Sequence, residues 1–358
     1  MSFHNRIEKL NNRLSDLNLD GLYVTNLTNV RYLTGFTGSA GSLLLLGDDC
    51  HFFTDGRYTE QAKEQITNCI VHIVGSAHYL AIKEKKIIIN GARIGIESAF
   101  VSVNLFDNIN HQLSQVEWHK IDDIIGEIAA VKDQHEINSL QVAVDITDQV
   151  FTEIIPELKV GAIEKQIAAK ISYLFKMHGA DGDSYDPIIG SGYLGALPHA
   201  TPSDKPFENG DFVVMDFGAL YNGYHADMTR TVVIGSSTDR HKEIYNIVLE
   251  SQLAGIQSAK AGMTGKALDA ICRKVIVDAG YGDKFIHSTG HGLGLEVHTY
   301  PRISSYNTSP LLENYVITIE PGIYLEGWGG VRIEDDCLIQ KDGCLALNKS
   351  TKEMLVLN

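Results

Sequence analysis

Met215-Asp216-Phe217-Gly218-Ala219-Leu220-Tyr221-Asn222-Gly223-Tyr224-His225-Ala226-Asp227 reads as a β-hairpin with a carboxylate on each arm. Val213, Val214, Met215 and Phe217 form one apolar strand, and Met228, Thr229, Thr231, Val232 and Val233 its partner. Asn222-Gly223 is a two-residue turn signal, because both positions need positive φ. That turn sets the register, placing Gly218 opposite Asp227 and Asp216 opposite Thr229. Opposed residues share a face, as do alternate residues, so the two acids project together, roughly 5–8 Å apart. Two carboxylates so close on apolar strands repel one another and resist desolvation, which calls for a cation, most simply a divalent metal. The competing reading is a pair of acids on the wet face of a hairpin, and the rest of the chain decides between them.

The bulk properties narrow the function. A chain of 358 residues can bury a large core and suggests two domains or more. With 30 Lys+Arg against 45 Asp+Glu the net charge is −15, and the Lys83–Lys86 run reads as a solvated helix end, so nucleic acid is not an expected partner. No apolar stretch reaches membrane-spanning length, and the polar, helical pattern of Met1–Asp20 has no signal-peptide core. The five cysteines, Cys50, Cys69, Cys272, Cys337 and Cys344, are widely spaced and lack a Cys-x-x-Cys, which argues against a disulfide framework and for a reducing, cytoplasmic setting.

In the first third, short apolar runs at Gly21–Thr25, Ser42–Leu46, His51–Thr54, Ile70–Val74 and Arg93–Ile96 alternate with helical stretches such as Arg57–Gln65 and Phe106–Leu113. This is an α/β N-terminal domain, placed at residues 1–125. Residues 126–358 carry an internal repeat. Helices His135–Leu158 and Ile163–Met177 precede the Asp hairpin; helices Asp239–Lys260 and Gly265–Ala279 precede a second strand pair, Tyr315–Glu320 with Gly330–Leu338. Gly161 and Gly262 stand at the start of the second helix of each unit, Gly179 and Gly280 at its end, and 101 residues separate each pair. Helix-helix-hairpin, twice, predicts an α+β pseudo-twofold domain with two hairpins facing a shared site.

The second hairpin mirrors the first. Ile317-Thr318-Ile319-Glu320 ends at Pro321-Gly322, and after the Gly-rich turn at Glu326–Gly330 comes Val331-Arg332-Ile333-Glu334. A symmetric pairing puts Glu320 and Glu334 on one face. Either Glu alone could be the solvent residue of a half-buried strand; four acids on two facing hairpins make a stronger case. Between the hairpins lies His287-Ser288-Thr289-Gly290-His291-Gly292-Leu293-Gly294-Leu295-Glu296-Val297-His298. It is neither a His-Glu-x-x-His zinc helix nor a phosphate loop. The glycines beside His291 would allow close approach of a ligand, making it a candidate imidazole in an oxygen-rich site.

These motifs resemble the pita-bread metallopeptidases, the family of aminopeptidase P, prolidase, methionine aminopeptidase and creatinase. The matches run in order through Leu197-Pro198-His199, Met215–Thr231, Ser288–His298 and Thr318–Glu334. The first domain resembles the creatinase-type N-terminal domain through Asn29-Val30-Arg31-Tyr32-Leu33-Thr34-Gly35-Phe36-Thr37-Gly38 and Thr54-Asp55-Gly56-Arg57-Tyr58. The Xaa-Pro branch is the nearest in pattern.

The resemblance implies a two-metal exopeptidase that cleaves the Xaa–Pro bond at the N-terminus of dipeptides or short peptides, with homodimers common among relatives. It makes Asp216 a terminal metal ligand, Asp227 and Glu334 bridging ligands, and His291 and Glu320 ligands of the second ion. Such a mostly oxygen donor set fits Mn²⁺, with Co²⁺ or Zn²⁺ as alternatives. By the same resemblance Glu320 shuttles the proton, His199 and His298 contact the scissile carbonyl and the tetrahedral intermediate, and Arg332 orients a carboxylate. His287 lines the pocket, and Tyr224 and Asp335 support the ligands. His298-Thr299 departs from the family's His-Glu, and Arg302 stands where some prolidases keep an Arg for a dipeptide's free carboxylate. A metal-free creatinase-like hydrolase and a non-catalytic peptide-binding module of the same fold are the rival readings; both would have lost ligands that are intact here.

Overall fold

The Asn-Gly turn forms as read: Asn222 and Gly223 take φ of 50° and 78° in a computed structural model that describes residues 3–358. Tyr221 pairs with Tyr224, Phe217 with Met228 and Asp216 with Thr229, so one register runs the length of the hairpin. The hairpin does not stay in one sheet. Phe212–Phe217 and Met228–Ile234 belong to a four-stranded sheet, whereas Ala219–Tyr221 and Tyr224–His225 belong to a three-stranded one. The crossover lies at Gly218 and Ala226-Asp227, where a Cβ on Gly218 would stand 1.7 Å from the Ala226 carbonyl oxygen. Gly218→Ala must therefore push the arms apart. It is expected to cost about 3 kcal/mol or more, read as a lower thermal midpoint together with lost activity.

The second hairpin repeats the device. Val316–Ile319 pairs with Asp335–Ile339 in a five-stranded sheet, and Gly322–Leu325 pairs with Gly329–Arg332 in a separate two-stranded one. Both pairings keep one register, so Glu320 and Glu334 face each other at the crossover, as the symmetric pairing predicts. Helices Gln134–Ile154 and Glu164–Met177 back the first hairpin, and Asp239–Ser258 and Gly265–Asp278 back the second. Gly161, Gly179, Gly262 and Gly280 take φ of 88°, 86°, 85° and 88°, matching the repeat position for position. The core of the first half joins Phe151, Ile167, Ile171 and Phe175 to Val213, Met215 and Phe217, and that of the second joins Leu268 and Cys272 to Ile317 and Ile319.

The chain divides into two compact units, residues up to Ala129 and Ala130–Asn358. The boundary drawn from sequence at residue 125 falls inside the helix Ile124–Ala130. The first unit is a six-stranded mixed sheet in the order Ile70–Ile73, Asp49–Thr54, Ser42–Leu46, Gly21–Val24, Arg93–Glu97, Glu117–Ile121. Its last strand, Glu-Trp-His-Lys-Ile, escapes a pattern reading because it is a short edge strand with mixed exposure. The quoted motifs of this unit build turns. Asn26 caps helix Leu27–Thr34, Gly35 closes it, and buried Glu97 accepts from the Asn29 side chain at 2.6 Å and from the Thr25 and Asn26 amides at 2.7 and 3.0 Å.

The cysteine reading needs correction. Cys50 and Cys69 form a disulfide with their Cα atoms 4.6 Å apart. Their 19-residue separation hides the contact in the sequence, and the parallel pairing of His51 with Ile70 creates it by bringing the two strand starts side by side. Cysteine spacing therefore carries no argument for a reducing compartment. Among the described residues no helix is long and apolar enough to cross a membrane.

Candidate metal centre and active site

Asp216, Asp227, His291, Glu320 and Glu334 come together at one cavity of about 420 Å³. Asp216 comes from the strand Phe212–Phe217 and His291 from Gly290–Gly292; Asp227, Glu320 and Glu334 sit where the two hairpins change sheets. Backbone at these crossovers is released from ladder pairing, which lets the carboxylates aim inward. His291 Nε2 lies 3.5 Å from Asp227 Oδ2 and 3.7 Å from Glu320 Oε1. One ligand atom each from Asp227, His291 and Glu334 can be chosen within 4.8 Å of the others.

The hairpins are tied across the pseudo-twofold by polar contacts. Thr229 Oγ1 donates to Glu334 Oε2 at 2.6 Å, the Glu334 amide donates to the Thr229 carbonyl at 3.2 Å, and Thr231 Oγ1 donates to the Arg332 carbonyl at 2.9 Å. The Asp227 amide donates to Asp336 Oδ2 at 3.0 Å. Arg230 is buried, donates to the Glu334 carbonyl at 2.6 Å and pairs with Asp335 at 2.7 Å. Asp335 thus supports Glu334 through Arg230. Tyr224 lies further off, its hydroxyl donating to Glu136 at 3.2 Å.

Arg332 makes an extended set of contacts. Its Nη2 donates to Asp216 Oδ2 at 2.6 Å, Nε to Thr229 Oγ1 at 2.9 Å, and Nη1 to Tyr324 OH at 2.8 Å and the Pro198 carbonyl at 3.1 Å. Tyr324 OH is 2.9 Å from His287 Nε2, and His287 Nδ1 is 2.8 Å from the Ser288 carbonyl, which can only accept. His287 therefore carries its proton on Nδ1 and accepts from Tyr324. Burial, with Arg332 nearby, pushes its pKa down to about 4.

The electrostatics show what this cluster needs. Burial raises the pKa of Asp227 well above the usual carboxylate range, and the Asp216 charge adds to it. Glu334 is raised strongly by burial and then by Asp227 and Glu320; Glu320 is raised by burial against the opposing pull of His291 and Arg332. Tyr185, which the sequence reading did not single out, places its hydroxyl against both Asp216 Oδ1 and Asp227 Oδ1. Its single proton cannot serve two carboxylates at once. Both observations describe negative charge held away from water at one point, and four acids with one imidazole are a donor set suited to hard or borderline divalent ions. The residues fit a metal.

His199, His298 and Arg302 are exposed at the same cavity, with Tyr185, Asp186, Ile188 and Val297 completing its wall. His298 packs edge-on to His291, with centroids 4.3 Å apart; partial desolvation of its ring at the cavity wall and the neighbouring His291 lower its pKa to about 4, so it is neutral at pH 7. The glycines beside His291 serve a different purpose from the ligand approach expected of them. A Cβ on Gly290 would meet the Thr318 carbonyl oxygen at 2.1 Å and one on Gly292 the Tyr300 carbonyl oxygen at 2.2 Å, so they admit the neighbouring strands.

A cavity walled by acids and histidines on a duplicated helix-hairpin scaffold, together with the family match of its residues, places the chain among the metallopeptidases. Residues 138–341 match the metallopeptidase family M24 and residues 6–131 the creatinase/prolidase N-terminal domain. The chain belongs to metallopeptidase family M24, with the pita-bread fold. It is 42% identical to a Xaa-Pro dipeptidase of Pyrococcus furiosus over 98% of this chain and 99% of that protein. Among solved structures it is similar to a Xaa-Pro dipeptidase from Bacillus anthracis, with TM-score 0.96 and 36% identity over 99% of this chain and all of that one. It is also similar to an X-Pro aminopeptidase from Thermotoga maritima, with TM-score 0.89 and 40% identity over 96% of this chain and all of that one.

Proposed function

We propose that this chain is an exopeptidase that hydrolyses the Xaa–Pro bond at the N-terminus of dipeptides or short peptides, with two divalent ions, Mn²⁺ by preference, held by Asp216, Asp227, His291, Glu320 and Glu334. The observation that carries this reading is the convergence of two acids from each hairpin and one imidazole on a single cavity. The relatives' Xaa-Pro names support the substrate class. Bound there, such ions would acidify the attacking water and polarise the scissile carbonyl. Glu320 takes up the water's proton and delivers it to the proline nitrogen, which must be protonated to leave as an amine. His298, neutral at pH 7, and His199 donate to the carbonyl oxygen as it gains charge. Arg332 holds Asp216 in place through the 2.6 Å contact. The protein works as a homodimer in this reading.

Comparing an Xaa-Pro dipeptide with an Xaa-Pro-tripeptide in the presence of Mn²⁺ tests the proposal. Cleavage of neither peptide would refute it. Cleavage of the dipeptide alone identifies a prolidase, and preference for the longer peptide an aminopeptidase P. Arg302, exposed at the cavity wall, is a cation available to a dipeptide's carboxylate, whereas Arg332 at the same cavity is buried against Asp216. Arg302→Ala is expected to raise KM for the dipeptide about 10- to 100-fold, as expected for loss of a charge-assisted contact, and to leave an amidated tripeptide within about threefold. Equal effects on both substrates would remove Arg302 from carboxylate recognition.

A further inference from the structure

The helix Glu164–Met177 begins at a carboxylate with no exposed surface, and the metal cluster does not account for it. Glu164 Oε1 accepts from the Ser191 amide at 2.8 Å and the Ser191 hydroxyl at 2.7 Å. Its Oε2 accepts from the Ser203 amide at 2.9 Å and the Ser203 hydroxyl at 2.7 Å. Each oxygen is thus saturated by two donors, which is how a buried carboxylate can be tolerated. Ser191 ends the strand Ile188–Ser191, and the chain then runs through the tight turn Gly192–Ala196 to Pro198 and His199 before reaching Ser203. Pro198 and His199 line the cavity, and the Pro198 carbonyl accepts from Arg332. Lys205 Nζ reinforces the same corner, donating to Ser191 Oγ at 3.1 Å and to Asp211 at 2.6 Å.

We propose that Glu164 is a positioning residue for hydrolysis: one carboxylate clamps both ends of segment 191–203 and so holds His199 at the cavity. The clamp rests on the role given above to His199. It works because the two oxygens of one rigid group fix the separation of the segment's ends, leaving the loop little freedom to carry its histidine away from the substrate. A glutamine cannot replace it. Its amide nitrogen would meet a serine backbone N–H donor to donor, so one end of the segment must detach.

A double-mutant cycle on the full chain with Mn²⁺ and an Xaa-Pro substrate tests the clamp. Glu164→Gln is expected to lower kcat about 10- to 100-fold with KM nearly unchanged, in line with groups that hold an active-site residue in place. In a His199→Ala background the same change should cost less than about threefold, because the group being positioned is gone. The rise in thermal midpoint on adding Mn²⁺ should be the same in Glu164→Gln as in the parent, since the hydrogen bonds of Glu164 go to Ser191 and Ser203 and to none of the five candidate ligands. Ser203→Ala, which removes one hydroxyl donor, is the milder variant that decides if Glu164→Gln does not fold. It should lose about three- to tenfold in kcat with the same non-additivity. Wild-type kcat in the single variants, or losses that simply add to that of His199→Ala, would overturn the clamp and leave the peptidase reading standing. Unchanged kcat in His199→Ala alone would sink the role of His199, and the clamp with it.

Discussion

Asp227→Asn is expected to abolish hydrolysis, with kcat falling roughly a thousandfold or more, while the fold persists. Asp227 lies at the centre of the cluster, against Tyr185 and 3.5 Å from His291. Asparagine keeps its shape and the backbone bond to Asp336, but it removes one negative charge and one of the two carboxylate oxygens that would serve the ions in the proposed site. The same change should act oppositely on the metal-free protein. Burial and the Asp216 charge both disfavour ionised Asp227, so neutralising it relieves a cost. In chelator, Asp227→Asn should therefore melt at or above the parent's temperature. On adding Mn²⁺ the parent should gain and the variant should not. A ligand at 100 times its Kd contributes about 2.7 kcal/mol, or roughly 5–10 °C for a domain of this size. Retained activity, or an equal Mn²⁺-dependent gain in the variant, would show that Asp227 is not a ligand.

Metal removal should also expose a characteristic pH dependence. In the chelated protein burial raises the pKa values of Asp227, Glu320 and Glu334, with neighbouring carboxylates, Asp216 among them in each case, adding to it, and Asp336 is raised by burial and Asp227. A carboxyl group with a raised folded-state pKa keeps its proton in the native state after the unfolded chain has lost it. Across that window the native state binds more protons, and stability falls as pH rises. His287 and His298, lowered from 6.5 to about 4, act with the opposite sign between those values, so the acids' contribution is cleanest above pH 6.5. The thermal midpoint of the chelated protein is expected to drop from pH 6.5 toward pH 8, where Lys132, lowered by burial from 10.5 to about 8, begins to act with the opposite sign. Saturating Mn²⁺ should flatten or reverse that slope, because divalent ions bind the deprotonated acids. A midpoint independent of pH in chelator would mean that the acids are not held against their ionisation.

The two hairpins show how far local reading reaches. A two-residue turn and alternating strands place Asp216 and Asp227 on one face because turn geometry and pleat are properties of neighbouring residues. The repeat of helices and glycines extends that logic to a second hairpin and to Glu320 and Glu334. His291 was reachable as an imidazole between the hairpins, although its flanking glycines serve strand packing. Tyr185 was not: a tyrosine in Ser184-Tyr185-Asp186-Pro187 has no periodic signal, and its importance comes from two acids more than 30 residues away. The Cys50–Cys69 bond escaped for the same reason, since it follows from a parallel pairing that spacing alone does not encode.

From the chain of residues alone come the hairpin registers, the duplicated architecture, the five candidate ligands and the family. These depend on turn chemistry, hydrophobic period and motif spacing, all of which act over short stretches or repeat along the chain. The folded structure decides where the hairpins change sheets, which threonines and arginines tie them together, and how Tyr185, the His287–Tyr324–Arg332 chain and the Glu164 clamp surround the acids. Those arrangements arise from contacts between residues far apart in sequence, where burial turns ordinary carboxylates into a site that demands a cation. Periodicity says which way a side chain points along its own element; what it meets there is set by packing.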